Sequence, residues 1–71
     1  MSLLLRIQLP EGRRYYAGYD GKRPSVSSKG GASRMEPELC RTVLRQLESL
    51  GFAGYEPVDE SDTAKTVELK R

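Results

Sequence analysis

Two apolar stripes of different period decide what this chain can fold into. Over residues 2–9 the side chains alternate, with Leu3, Leu5, Ile7 and Leu9 on one face and Ser2, Leu4, Arg6 and Gln8 on the other. That is the period of a half-buried strand. Between residues 36 and 50, Leu39, Val43, Leu47 and Leu50, widened by Cys40 and Leu44, fall along one side of a helix. No other stretch has an apolar face as long, so the two are expected to meet. The chain has 71 residues, room for one core, and such a core supplies only about 3–5 kcal/mol.

Turn chemistry places the remaining elements. Pro10-Glu11-Gly12 can reverse the first strand into a second over residues 13–19. Asp20-Gly21 suits a tight type I′ turn into a short polar edge strand over residues 24–28. Lys29-Gly30-Gly31-Ala32-Ser33 reads as a flexible connection to the helix, which Pro37 opens and Gly51 closes, with Phe52 able to fold back on Leu47. Residues 53–58 read as a strand that Gly54 and Pro57 weaken, Pro57 suggesting an edge or an irregular piece, Asp59-Glu60-Ser61-Asp62 as an acidic loop, and residues 65–70 as a last strand in preference to a frayed helix. The expectation is one α+β domain over residues 1–71, a small antiparallel sheet with one helix packed on one face, in the order β-β-(β)-α-β-β.

The residue inventory narrows the chemistry. There is no His and one Cys, which removes Ser-His-Asp and Cys-His nucleophiles, an internal disulfide and a structural zinc site. No enzyme activity, cofactor or metal is expected. The run Leu3-Leu4-Leu5 is broken by Arg6 and Gln8, short of a signal-peptide core or a membrane span. The expected location is the cytosol. Formal net charge is +2, but residues 1–34 carry seven basic and two acidic side chains, a net of +5, and residues 35–71 carry five and eight, a net of −3.

Two groups of residues can bind a partner. Arg13-Arg14-Tyr15-Tyr16-Ala17-Gly18-Tyr19 with Lys22 and Arg23 puts cations and aromatic rings on one hairpin, Arg14 and Tyr16 on one face and Arg13, Tyr15 and Tyr19 on the other. Such a strip can hold phosphates and stack on bases, or simply pack its rings inward and keep a sheet soluble. Glu56, Asp59, Glu60 and Asp62 can face a basic groove, although they lack the ligand spacing of a calcium loop. Arg14, Tyr16, Tyr19 and Arg23, then Asp59, Glu60 and Asp62, are the candidate partner-binding residues. Cys40 falls on the apolar side of the helix, where a buried thiol is ordinary.

Tyr15-Tyr16-Ala17-Gly18-Tyr19-Asp20-Gly21, a Ser/Lys/Gly loop, Ala32-Ser33-Arg34-Met35 before the helix and Leu50-Gly51-Phe52 after it form an aromatic-glycine hairpin, a helix and a closing strand. Over residues 15–58 this layout resembles small proteins encoded by phages and prophages, with anti-CRISPR proteins and other inhibitors of host defence as the nearest functional class. The resemblance implies a non-enzymatic protein that inhibits or modulates a host protein or nucleoprotein complex by occupying its surface. It carries no shared binding motif, and the net charge of +2 departs from the strongly acidic nucleic-acid mimics of that class. The alternative is a small nucleic-acid-binding protein using the basic aromatic hairpin.

Overall fold

Both stripes form the elements their periods require. The computed structural model describes residues 1–69, with strands β1 (Leu3–Leu9), β2 (Gly12–Tyr19) and β3 (Pro24–Ser27), helix α1 (Pro37–Ser49), and strands β4 (Glu56–Asp59) and β5 (Asp62–Thr66). The strands make one antiparallel sheet in the order β3-β2-β1-β4-β5, and α1 packs on one face of it. The fold is therefore α+β, as the sequence indicates.

The central position of β1 corrects the reading of its polar face. Leu3, Leu4 and Leu5 are all fully buried. Leu3 and Leu5 join Tyr16, Met35, Cys40 and Leu47 under the helix, while Leu4, opposite Val58, forms a second cluster with Tyr15, Ala32 and Val58 on the other face. A strand flanked on both sides and covered on both faces is apolar on both. Ile7 and Leu9 remain half-buried outside the helix-side cluster.

The helix stripe is also divided. Cys40 and Leu47 are buried, and Val43 and Leu44 pack half-buried against the same cluster, but Leu39 is 53% and Leu50 is 56% exposed. Six apolar positions span more of a helix than its seat on β1 can cover, so the line through Cys40 and Leu47 is centred on the sheet and one flank is left outside. The helix closes on a Schellman ending: the Phe52 N–H donates to the Leu47 carbonyl at 2.8 Å and the Gly51 N–H to that of Glu48 at 3.1 Å. Gly51 holds φ at +91° there, a conformation that any side chain would strain.

The connection before the helix is fixed by hydrogen bonds rather than loose. Pairing of β1 with β2 ends at Arg6 and Tyr15. Beyond it the Ser33 N–H donates to the Tyr16 carbonyl at 2.9 Å, and Met35 exchanges both backbone bonds with Leu3. Ala32 contributes to one core cluster and Met35 to the other.

Three boundaries differ from expectation. The β2–β3 connection is a four-residue loop, closed by the Asp20 N–H on the Arg23 carbonyl, not a two-residue type I′ turn. The last strand covers 62–66 rather than 65–70; Val67 and Leu69 follow it and pack on the helix-side core, and Lys70 lies outside the described residues. The strand read over 53–58 covers 56–59 and is interior rather than at an edge, with Pro57 opposite Leu5, but its pairing to β5 is irregular as Pro57 suggests. The Pro57 carbonyl accepts the Val67 N–H, so its missing N–H faces the bulged β4–β5 side, where the ladder is already irregular.

Candidate binding groove

Strict alternation along β2 would separate Tyr16 from Tyr19. The structure brings them together, because the β2–β3 register shifts between Tyr16 and Tyr19, with Gly18 at φ +121°. The shift moves the Tyr19 ring to the helix side, where it meets Phe52 edge-on at 6.4 Å, while Tyr16 meets Tyr55 at the same spacing. Burial pushes both the Tyr16 and Tyr55 phenols above their usual pKa, the neighbouring Tyr16 adding to the effect on Tyr55.

Between these rings and the uncovered flank of α1 runs an open groove of about 360 Å³, lined by Tyr16, Tyr19, Val43, Gln46, Leu47, Ser49 and Leu50. Val26 lies directly opposite Tyr16 and so on the same sheet face, and Leu39 occupies the same helix flank one turn before Val43. Tyr19, Val26, Leu39 and Leu50 are four of the five exposed large apolar side chains among the described residues; the fifth is Met1.

The seven candidate residues are not brought to one place. Tyr16 is the floor of the groove, 9% exposed, and Tyr19 is its exposed wall at 41%. Arg23 stands beside Tyr19 in the loop that the Asp20 carboxylate organises, accepting the Lys22 and Arg23 backbone N–H groups at 2.8 and 2.9 Å. Those bonds hold the Asp20 carboxyl below its ordinary pKa. Arg14 is at the other end of β2, five positions from Tyr19 and therefore about 16 Å away along the strand, with its guanidinium on the Arg13 carbonyl. The basic residues thus form two groups, not one strip.

Asp59, Glu60 and Asp62 are on the far side of β1, and Glu60 forms the β4–β5 turn with Ser61. The Asp59 carboxylate accepts the Ser61 N–H and hydroxyl at 2.9 and 2.8 Å, which lowers its pKa. Glu60 pairs with Arg34, and its N–H donates to the Ser2 carbonyl; Asp62 accepts a longer bond from the Ala64 N–H. Two of these acids therefore serve their own fold first. Nearby, Arg6 bonds Glu56 at 2.9 Å and the Thr63 carbonyl at 2.6 Å, tying β1 to the same hairpin.

Strand order also turns the charge asymmetry of the sequence into one in space. Residues 12–27, with β2 and β3, carry four basic side chains and one acidic. Residues 56–66, with β4 and β5, carry four acidic and one basic, and the two hairpins lie on opposite sides of β1.

Val43, Gln46, Leu47, Ser49 and Leu50 line the groove from the helix and were not among the candidate residues. For the three apolar ones the signal was the width of the helix stripe. Cys40 is buried beneath the helix, which pushes its thiol up to about 11. Alkylation by a thiol reagent at pH 8 is expected to be slow in the folded protein and fast in urea, followed by mass spectrometry. Because the folded-state pKa exceeds the ordinary thiol value of 9.0, the stability carried by this group is complete below about pH 9 and falls as pH rises toward about 11. Equal labelling rates with and without urea would contradict the burial of Cys40.

The chain matches no protein-family model, no curated protein and no solved structure. Among the described residues no helix is long and apolar enough to cross a membrane.

Proposed function

We propose that the protein is a non-catalytic binding module of phage or mobile-element origin, acting in the host cytosol by covering a surface of a larger protein or nucleoprotein complex. The observation that carries this reading is a groove lined by the exposed Tyr19 and Leu50, with exposed Val26 on the same sheet face and exposed Leu39 on the same helix flank. Apolar side chains exposed together around one groove, rather than scattered singly, mark interaction sites on soluble proteins. An aromatic wall with an arginine beside it has the composition of a binding hot spot. The mode of action is that of the phage inhibitors whose layout the sequence resembles.

The test is affinity capture from host cytosol with the parent chain, a Tyr19→Ala, Leu50→Glu variant and an Asp59→Lys, Glu60→Lys variant, each first shown to be folded. The groove variant is expected to lose at least about 30-fold in affinity, the loss typical of a hot-spot anchor, and the acidic-turn variant to bind nearly as the parent does. Recovery of nucleic acid instead, with affinity falling steeply with salt and lost on Arg14→Ala, Lys22→Ala, would replace this reading with the nucleic-acid one.

A further inference from the structure

The width of the sheet and its charge together describe what fills the groove. Four spacings between five strands make the sheet about 19 Å wide, whereas one helix with its side chains covers about 10–12 Å. Helix α1 is seated on β1, the middle strand. On the β4–β5 side Val67 and Leu69 pack onto the helix-side core and, with Leu44 and the charged Arg41, Arg45 and Glu48, line a second open pocket of about 500 Å³. On the β2–β3 side Phe52 and Tyr55 meet the edges of Tyr19 and Tyr16, but Tyr19 and Val26 stay exposed, and Tyr19 shares the groove with exposed Leu50 of the helix. β3 lies two strand spacings, about 9.6 Å, from β1, which is within the roughly 8–10 Å at which the axis of a second helix packs beside the first.

The loop at the Tyr19 end of the groove is basic, while Glu38 adjoins Leu39 at the helix start. The sheet-side wall belongs to the hairpin with four basic side chains and one acidic. That acid, Asp20, is engaged by the backbone of its own loop, and neither Lys22 nor Arg23 makes an ion pair among the described residues. The groove lining itself bears no charge, and the helix flank presents Gln46 and Ser49.

Resting on the reading of the groove as the partner contact, we propose that it receives an acidic amphipathic helix of the partner protein, laid beside α1 on the same sheet face. Its apolar side chains, spaced i, i+3, i+4 and i+7, fill the space between Tyr19 and Leu50. Its carboxylates face Lys22 and Arg23, where they steer approach and fix orientation. The bound helix completes a two-helix layer over the five strands.

Two stapled peptides of about four helical turns serve as probes, with Leu at the spaced positions and either Glu or Lys elsewhere. In titrations of the isotope-labelled full chain, the Glu peptide is expected to shift the resonances of Tyr19, Val26, Leu39 and Leu50. It should bind at least about 10-fold tighter than the Lys peptide, and Arg23→Glu should remove that preference. Equal or tighter binding of the Lys peptide, or shifts confined to another face, overturns the proposal. So does self-association: if dilution alone moves the same resonances and sedimentation shows a dimer, the occupant is a second copy. Photo-crosslinking from benzoylphenylalanine in place of Leu39 separates this proposal from the reading beneath it. An extended or basic partner segment crosslinked there ends the acidic-helix proposal and leaves the groove as the contact. Capture that is indifferent to Tyr19→Ala, Leu50→Glu ends the groove reading itself.

Discussion

Leu47→Ala is expected to cost about 2–5 kcal/mol, the range for emptying a leucine site in a packed core. Set against the roughly 3–5 kcal/mol that a core of this size supplies, the variant should be largely unfolded at room temperature. Leu47 is 2% exposed and lies between β1 and the helix axis, whereas Leu50, one turn later on the nominal stripe, is 56% exposed. Leu50→Ala should therefore change stability by less than about 0.5 kcal/mol. Urea denaturation followed by circular dichroism measures both. Similar losses at the two positions would mean that the helix is seated differently and that the groove is filled by the protein's own side chains.

Leu4→Ala is the second large loss, again about 2–5 kcal/mol. A half-buried strand with Leu4 on its wet face would lose almost nothing. In the structure Leu4 is fully buried with Tyr15, Ala32 and Val58 on the face away from the helix. Val58→Ala should lower stability in the same assay, and because the two residues pack in one cluster opposite each other, the double variant should lose less than the two single losses together. A neutral Leu4→Ala would show that this face of the sheet is open to water.

Both predictions concern residues where local pattern and tertiary environment part company. Much of the chain was legible before any coordinates. The alternation from Leu3 to Leu9 and the 3.6-residue spacing from Leu39 to Leu50 each record which local conformation can gather apolar side chains on one side. Gly51 and Phe52 gave the helix ending, and Pro10 with Gly12 gave the first reversal, because turn conformations are set by one or two residues. For the same reason the α+β class and the coverage of the sheet by a single helix could be read directly.

The candidate site was legible only in its residue types. Tyr16, Tyr19 and Arg23 were recognisable as anchors, but their arrangement depends on a register shift opposite β3 that moves Tyr19 to the helix side. Asp59 and Glu60 looked available until the turn and Arg34 engaged them. A side chain's type is local, whereas the partner that uses its charge can be remote: Arg34 and Glu60 are 26 positions apart.

Local periods and turn residues thus determined the elements of this protein, their order and the helix-side stripes of β1 and α1, since those follow from backbone geometry within a few residues. The tertiary structure decided how much of each apolar side is covered. With β4 paired to β1 from about fifty positions away, Leu4 acquired a second core, the basic and acidic hairpins were set on opposite sides of the sheet, and one flank of the helix was left open. These outcomes depend on competition among distant segments for the same surfaces, which no local pattern records.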